Sequence, residues 1–122
     1  MRELLAITFQ NAGYEVVKAS DGQDALDKLL ASPDFSVAFC DIEMPRIDGL
    51  DLLNHIRKHE QLSHIPFAML TSRGSKLHRQ IAAQRGAKAY FTKPYVEDNL
   101  LKAAQRLIKG DVLLDVDGNV MI

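Results

Sequence analysis

The stretch Phe35-Ser36-Val37-Ala38-Phe39-Cys40-Asp41-Ile42-Glu43-Met44-Pro45-Arg46-Ile47-Asp48-Gly49 decides the fold. Its first half is a short apolar run preceded by the breaker Ser32-Pro33-Asp34, the pattern of a strand buried on both faces. Its second half holds Pro45 and Gly49, which cannot continue a strand, so Asp41 is left at the strand's carboxyl end. In open parallel sheets covered by helices, that edge is where ligands bind.

Downstream, Leu50, Leu52, Leu53 and Ile56 mark a helix that ends near Ser63, and Asp48 reads as its cap rather than as a catalytic acid. Residues 65–70 form a second buried run, with Pro66 tolerable only at its first position or at an edge. Leu77, Ile81 and Ala82 predict a helix stopped by Gly86, residues 87–92 a third strand, and Val96, Leu100, Ala104, Leu107 and Ile108 a last helix closed by Gly110. Upstream, Leu4, Leu5, Thr8 and Phe9 predict a helix over 2–12, residues 15–20 a short strand, and Asp21 the cap of a helix whose stripe is Ala25, Leu26, Leu29 and Leu30. The predicted order is α-β-α-β-α-β-α-β-α, an α/β fold with a parallel sheet and helices on both faces. Residues 111–122 stand apart: Val112-Leu113-Leu114 and Val120-Met121-Ile122 flank Asp117-Gly118, a hairpin-type turn.

The 122 residues suffice for one domain, and a hydrophobic fraction of 47% with 25% charged residues is ordinary for a soluble globular chain. A net charge of −1 gives no bulk field for nucleic acid or an anionic membrane. The single cysteine, Cys40, cannot form an internal disulfide and reads as a small buried hydrophobe in a reducing compartment. No apolar stretch approaches membrane-spanning length and Met1-Arg2-Glu3-Leu4 lacks a signal-peptide core, so a cytoplasmic protein is expected.

Three interior strands end in polar residues, Asp41, Thr71 and Lys93. Parallel strands bring an acid, a hydroxyl and an ammonium to one rim, and Pro94 halts the third strand where a cis bond could aim the lysine. These are the parts needed to load a phosphoryl group onto an aspartate: a carboxylate nucleophile, with a lysine and a hydroxyl to bind the transferred oxygens. A hard cation such as Mg²⁺ usually completes such a site.

Asp41-Ile42-Glu43-Met44-Pro45-x-x-Asp48-Gly49, Met69-Leu70-Thr71-Ser72 and Tyr90-Phe91-Thr92-Lys93-Pro94 resemble the receiver domains of two-component response regulators, chemotaxis receivers among them. The likeness runs from about residue 2 to 109. It implies a flavodoxin-like sheet and a phosphorelay role, with Asp41 loaded from a phosphohistidine on a histidine kinase or phosphotransfer domain. It further implies that Thr71 and Lys93 bind the phosphoryl group, that Tyr90 is an aromatic switch moving with Thr71, and that Asp41 and the backbone carbonyl of Glu43 hold the metal. Pro45, Gly49 and Pro94 would shape the loops, and residues 77–108 would form the signalling face. Such a domain would not turn over external substrates. Without the motif Tyr90 reads as core; with it, the switch is the preferred reading.

The chain departs from that pattern at its start. The resemblance implies a first strand ending in an acidic pair, lying centrally between the strands starting near Glu15 and Phe35; neither precedes the first helix. Losing about four buried apolar residues removes on the order of 6–12 kcal/mol, comparable with the net stability of a domain. Residues upstream of Met1 would fill the gap, or else residues 111–117 of the tail, in cis or by strand exchange in a dimer, bringing Asp117 to the rim as a substitute metal ligand. The expected division is a receiver domain over 1–109 lacking its first strand and a tail, strand or hairpin, over 110–122.

Other readings compete. A receiver without its metal pair would act as a docking module independent of phosphorylation. Asp115-Val116-Asp117-Gly118 resembles the nucleophile motif of haloacid-dehalogenase-type phosphatases, but that motif needs a catalytic domain after it. His55, His59 and His64 have no zinc-protease spacing and read as a solvated face. Arg73, Lys76, Arg79, Arg85 and Lys88 make the fourth helix region basic, either a solvated face or a docking surface for an acidic partner.

Overall fold

The computed structural model describes residues 2–44 and 47–121, apart from the side chains of Arg2 and Glu3. In chain order the elements are α1 (Arg2–Asn11), α2 (Gly22–Ala31), β1 (Ala38–Asp41), α3 (Gly49–Ile56), a 3₁₀ turn (Glu60–Leu62), β2 (Phe67–Thr71), α4 (Lys76–Gln84), β3 (Ala89–Thr92) and α5 (Glu97–Ile108).

β2 is the middle of a parallel sheet of order β1-β2-β3 and is buried at every position. Strand alternation divides its side chains between two layers. Phe67 and Met69 face Leu26 and Leu29 of α2, Leu52, Leu53 and Ile56 of α3, and Ala82 of α4. On the other face Ala68 meets Ala103 and Leu107 of α5, and Leu70 meets Phe9 of α1 with Leu100 and Ala104 of α5. The helices start where the sequence supplies caps: Asp21, Asp48 and Ser75 accept the amides of Asp24, Asp51 and His78. Gly110 ends α5 at φ 98°, a left-handed position that lets the amide of Asp111 reach the Arg106 carbonyl at 3.0 Å.

Two expectations fail together. Residues 15–20 contain no strand, and β1 is half-buried at Ala38 and Phe39 rather than covered on both sides. The cause is common to both: among the described residues no strand runs between residues 15–20 and β1, so neither segment has a neighbouring strand on that side. A groove of about 420 Å³ runs there, lined by Leu5 and Phe9 of α1, Val16, Val37 just before β1, and Phe39 of β1. Ala38 and Ile42 donate to Pro66 and Leu70 on the β2 side, so the intervening amides of Phe39 and Asp41 point into the groove.

The tail does not fill that place. Leu113 and Leu114 are buried, the Leu113 amide donates to the Lys88 carbonyl at 2.7 Å, and Leu114 pairs antiparallel with Val120. The resulting hairpin lies beside the start of β3 and is tied to α4 by Arg79, whose Nε donates to the Gly118 carbonyl at 2.9 Å. Polar chemistry favours this over insertion. Asp115 accepts the amides of Asp117 and Asn119, each at 2.9 Å, and would lose both if threaded into a buried strand.

Candidate functional site

The parallel register delivers three strand ends to one rim. Asp41 is opposite Leu70, and Thr71 is opposite Thr92. The ladder continues one residue further, the Lys93 amide donating to the Thr71 carbonyl at 2.8 Å, so Lys93 leaves β3 beside the end of β2. Its peptide bond to Pro94 is cis. The loop after β1 folds back tightly: the Gly49 amide donates to the Ile42 carbonyl at 2.8 Å. A Cβ on Gly49 would lie 2.4 Å from the Asp41 carbonyl oxygen, so only glycine allows α3 to start against the end of β1. Pro45, the other loop residue singled out, lies outside the described residues. Asp48 caps α3, accepting the Asp51 amide at 2.8 Å.

At the rim, Lys93 Nζ lies 2.7 Å from Asp41 Oδ1. That oxygen is closed to solvent and receives no hydrogen bond of proper angle, so charge attraction rather than a directed bond compensates it. The same contact is the main reason Lys93 is held above the ordinary ammonium pKa; burial works against it, and the charges of Asp41 and Glu43 add to the rise. Burial pushes the neighbouring Cys40 thiol up to about 12, with the Asp41 charge second, which leaves it an inert core group.

Thr71, fully buried, donates through Oγ1 to Glu43 Oε2 at 2.6 Å and accepts the Arg73 amide at 2.9 Å. Glu43 Oε1 also accepts the Ser72 amide at 2.8 Å and the Ser72 hydroxyl at 2.9 Å. Burial raises the Glu43 carboxyl, but the Ser72 amide, the two hydroxyls and the Lys93 charge together outweigh it and hold the pKa below the usual value. Tyr90 is buried with its hydroxyl donating to the Arg73 carbonyl, and burial raises its pKa. The structure thus brings Asp41, Thr71, Lys93, Tyr90 and Glu43 together. The role of the Glu43 side chain and of Ser72 was missed, although a carboxylate two residues after the strand end and a hydroxyl beside Thr71 were legible signals.

A family model described as the response regulator receiver domain matches residues 1–105. The chain belongs to this receiver family. The receiver is 33% identical over 111 residues to the chemotaxis protein CheY1 of Helicobacter pylori, covering 90% of this chain and 89% of that protein. It is 32% identical to the transcriptional regulatory protein GltR of Pseudomonas aeruginosa over 97% of this chain, spanning 48% of that longer protein. Among solved structures, Vibrio cholerae CheY4 superposes with a TM-score of 0.80 at 35% identity, covering 86% of this chain and 87% of that one. A putative response regulator of Chloroflexus aurantiacus superposes at 0.81 with 29% identity, covering 88% and 87%. Membership places the receiver in phosphorelay signalling, where such domains partner with histidine kinases or phosphotransfer domains and serve as signalling modules rather than as enzymes. Among the described residues no helix is long and apolar enough to cross a membrane.

Receivers of this family generally use Mg²⁺ at an acidic cluster, and this receiver's donors do not match one. Mg²⁺ demands near-octahedral oxygen ligands. Here Asp41 Oδ1 is shielded against Lys93, the Glu43 carboxylate is taken by Thr71 and Ser72, and no three acidic, histidine or cysteine side chains among the described residues are grouped to hold a metal. Asp117, the suggested substitute, sits in the tail's hairpin turn, its amide on Asp115, rather than beside Asp41. Asp115, the acid that a phosphatase reading would use as nucleophile, spends its carboxylate on that same turn.

Proposed function

We propose that this receiver accepts a phosphoryl group on Asp41 from a phosphohistidine of a histidine kinase or phosphotransfer domain. The single observation that carries the proposal is the Lys93 ammonium 2.7 Å from the Asp41 carboxylate, beside Thr71 on the next strand end. A carboxylate oxygen of Asp41 attacks phosphorus, the P–O bond forms as the P–N bond breaks, and the bond pair returns to the imidazole nitrogen. Lys93 neutralises charge on the transferred oxygens, and the Thr71 hydroxyl, once released from Glu43, is the second donor. Attack of water on the acyl phosphate releases inorganic phosphate and regenerates the carboxylate. Because the donor set does not suit a divalent ion, no step is assigned to Mg²⁺.

Tyr90 and Thr71 are the switch in this reading, and α4, β3 and α5 are the output face, an assignment supported by exposed Leu77 and Val96 at its edge. The docking-module alternative is favoured by one observation, the lack of a grouped acidic site among the described residues. Incubation with acetyl phosphate in Mg²⁺-containing buffer tests the two. Acid-stable label that disappears in Asp41→Asn supports the phosphoacceptor. Absence of label in a folded wild-type chain that still binds a kinase or phosphotransfer domain overturns it in favour of docking.

A further inference from the structure

The groups best placed to receive an anion beside Asp41 are already engaged. The Thr71 hydroxyl, the Ser72 amide and the Ser72 hydroxyl all donate to one carboxylate, that of Glu43, at 2.6, 2.8 and 2.9 Å. Thr71 has no further proton to give, since its one hydroxyl hydrogen goes to Glu43 while its oxygen accepts from Arg73. Hydrogen bonds to a carboxylate are short and about twice as strong as neutral ones. A tethered carboxylate also competes at an effective concentration in the millimolar range or above. Glu43 is itself exposed, and among the described residues these bonds and the Lys93 charge hold it inward.

We infer that Glu43 is a tethered occupant of the anion seat formed by Thr71 and Ser72: its side chain must swing out before those donors can bind a phosphoryl group or any other tetrahedral anion, and it returns when the anion leaves. Glu43 is thereby a positioning residue that sets how readily the seat is filled. For phosphorylation this rests on the reading of Asp41 as the acceptor; for anion binding it stands by itself.

The test uses the whole chain and inorganic phosphate as the probe, followed by the shift of the Ser72 amide in ¹H–¹⁵N spectra. Glu43→Ala is expected to bind phosphate about 10- to 100-fold more tightly than wild type, the equivalent of one to two charge-assisted bonds no longer to be displaced. Asp51→Asn is the charge control: it removes one exposed carboxylate, paired with Arg85 rather than with Thr71 or Ser72, and it should leave the affinity near that of wild type. Equal affinity in Glu43→Ala and wild type overturns the inference, as does an equal gain in Asp51→Asn, because charge alone would then explain the effect. Labelling by acetyl phosphate separates the two ideas. Label on wild type and a faster rate in Glu43→Ala support both. Label at the same rate in each sinks the role of Glu43 in phosphorylation and leaves the acceptor standing. No label on either, with phosphate binding enhanced in Glu43→Ala, sinks the acceptor and leaves the seat.

Discussion

Replacing Gly49 by alanine sets two effects of opposite sign against each other. Alanine is the better helix former, by up to about 1 kcal/mol, and Gly49 is the first residue of α3. Yet the added Cβ would lie 2.4 Å from the Asp41 carbonyl oxygen, 2.8 Å from Ile42 Cα and 3.0 Å from the Asp41 carbonyl carbon. All three are backbone atoms of β1 or the residue after it, so no side chain can yield. Relief requires α3 to withdraw from the strand, and that loosens Leu52 and Leu53, which are 1% and 2% exposed. Overpacking of this kind costs about 1–3 kcal/mol, so crowding outweighs propensity and a net loss of roughly 1–2 kcal/mol is expected. For a chain of this size each kcal/mol shifts Tm by about 4 °C, which makes the expected fall roughly 4–8 °C. Thermal melts followed by far-ultraviolet circular dichroism measure it directly. Gly74→Ala is the comparison, because its Cβ would meet only Thr92 side-chain atoms, at 3.3 and 3.4 Å among the nearest. A Gly49→Ala chain that melts at or above the wild-type temperature would refute the argument that this glycine is required by close approach. The same variant should label more slowly, since the displaced atoms belong to Asp41 itself.

Other outcomes follow from the same geometry. Leu113→Ala should destabilise by about 2–5 kcal/mol in urea titration, because Leu113 is fully buried and the tail is part of the core rather than an appendage. Lys93→Met should fold while its labelling rate on Asp41 drops by about 100-fold or more; an unchanged rate would show that the ammonium does not act on the transferred oxygens. Asp115, whose pKa the Asn119 amide above all holds below the ordinary 3.8, has its carboxylate–amide bonds intact at neutral pH. A folded pKa below the unfolded one means this contribution is present above the unfolded value and lost as pH falls through the folded value, so the Asp117 and Asn119 amides should shift only below about pH 3.8. Hydrogen exchange should be fast at Phe39 and Asp41, whose amides face the groove, and slow at Ala38 and Ile42, which donate to the β2 side; equal protection would mean that the groove is filled in solution.

Much of this was legible from residue order because the signals are local. The apolar runs before Asp41 and Thr71, the caps Asp21 and Asp48, and the stop at Gly110 each depend on a few neighbouring residues. The caps and the stop lie where the pattern puts them, and the two strands form within their runs but start only at Ala38 and Phe67. Alternating strands and helices imply a parallel sheet, so the meeting of Asp41, Thr71 and Lys93 on one rim was also readable. The strand over 15–20 was not. Val16 and Val17 carry strand propensity, but a strand exists only with a ladder partner, and propensity says nothing about whether one is present.

The sequence by itself determined the α/β class, the family and the three rim residues, since strand periodicity and short motifs are properties of contiguous residues. Only the tertiary structure decided what the polar groups do with one another. It gave the Glu43 carboxylate to Thr71 and Ser72 across 28 and 29 residues of chain, and sent the tail to the side of β3 instead of the groove beside β1. Both outcomes are competitions for hydrogen-bond partners, and such competitions are settled by which donors and acceptors the folded chain brings within about 3 Å.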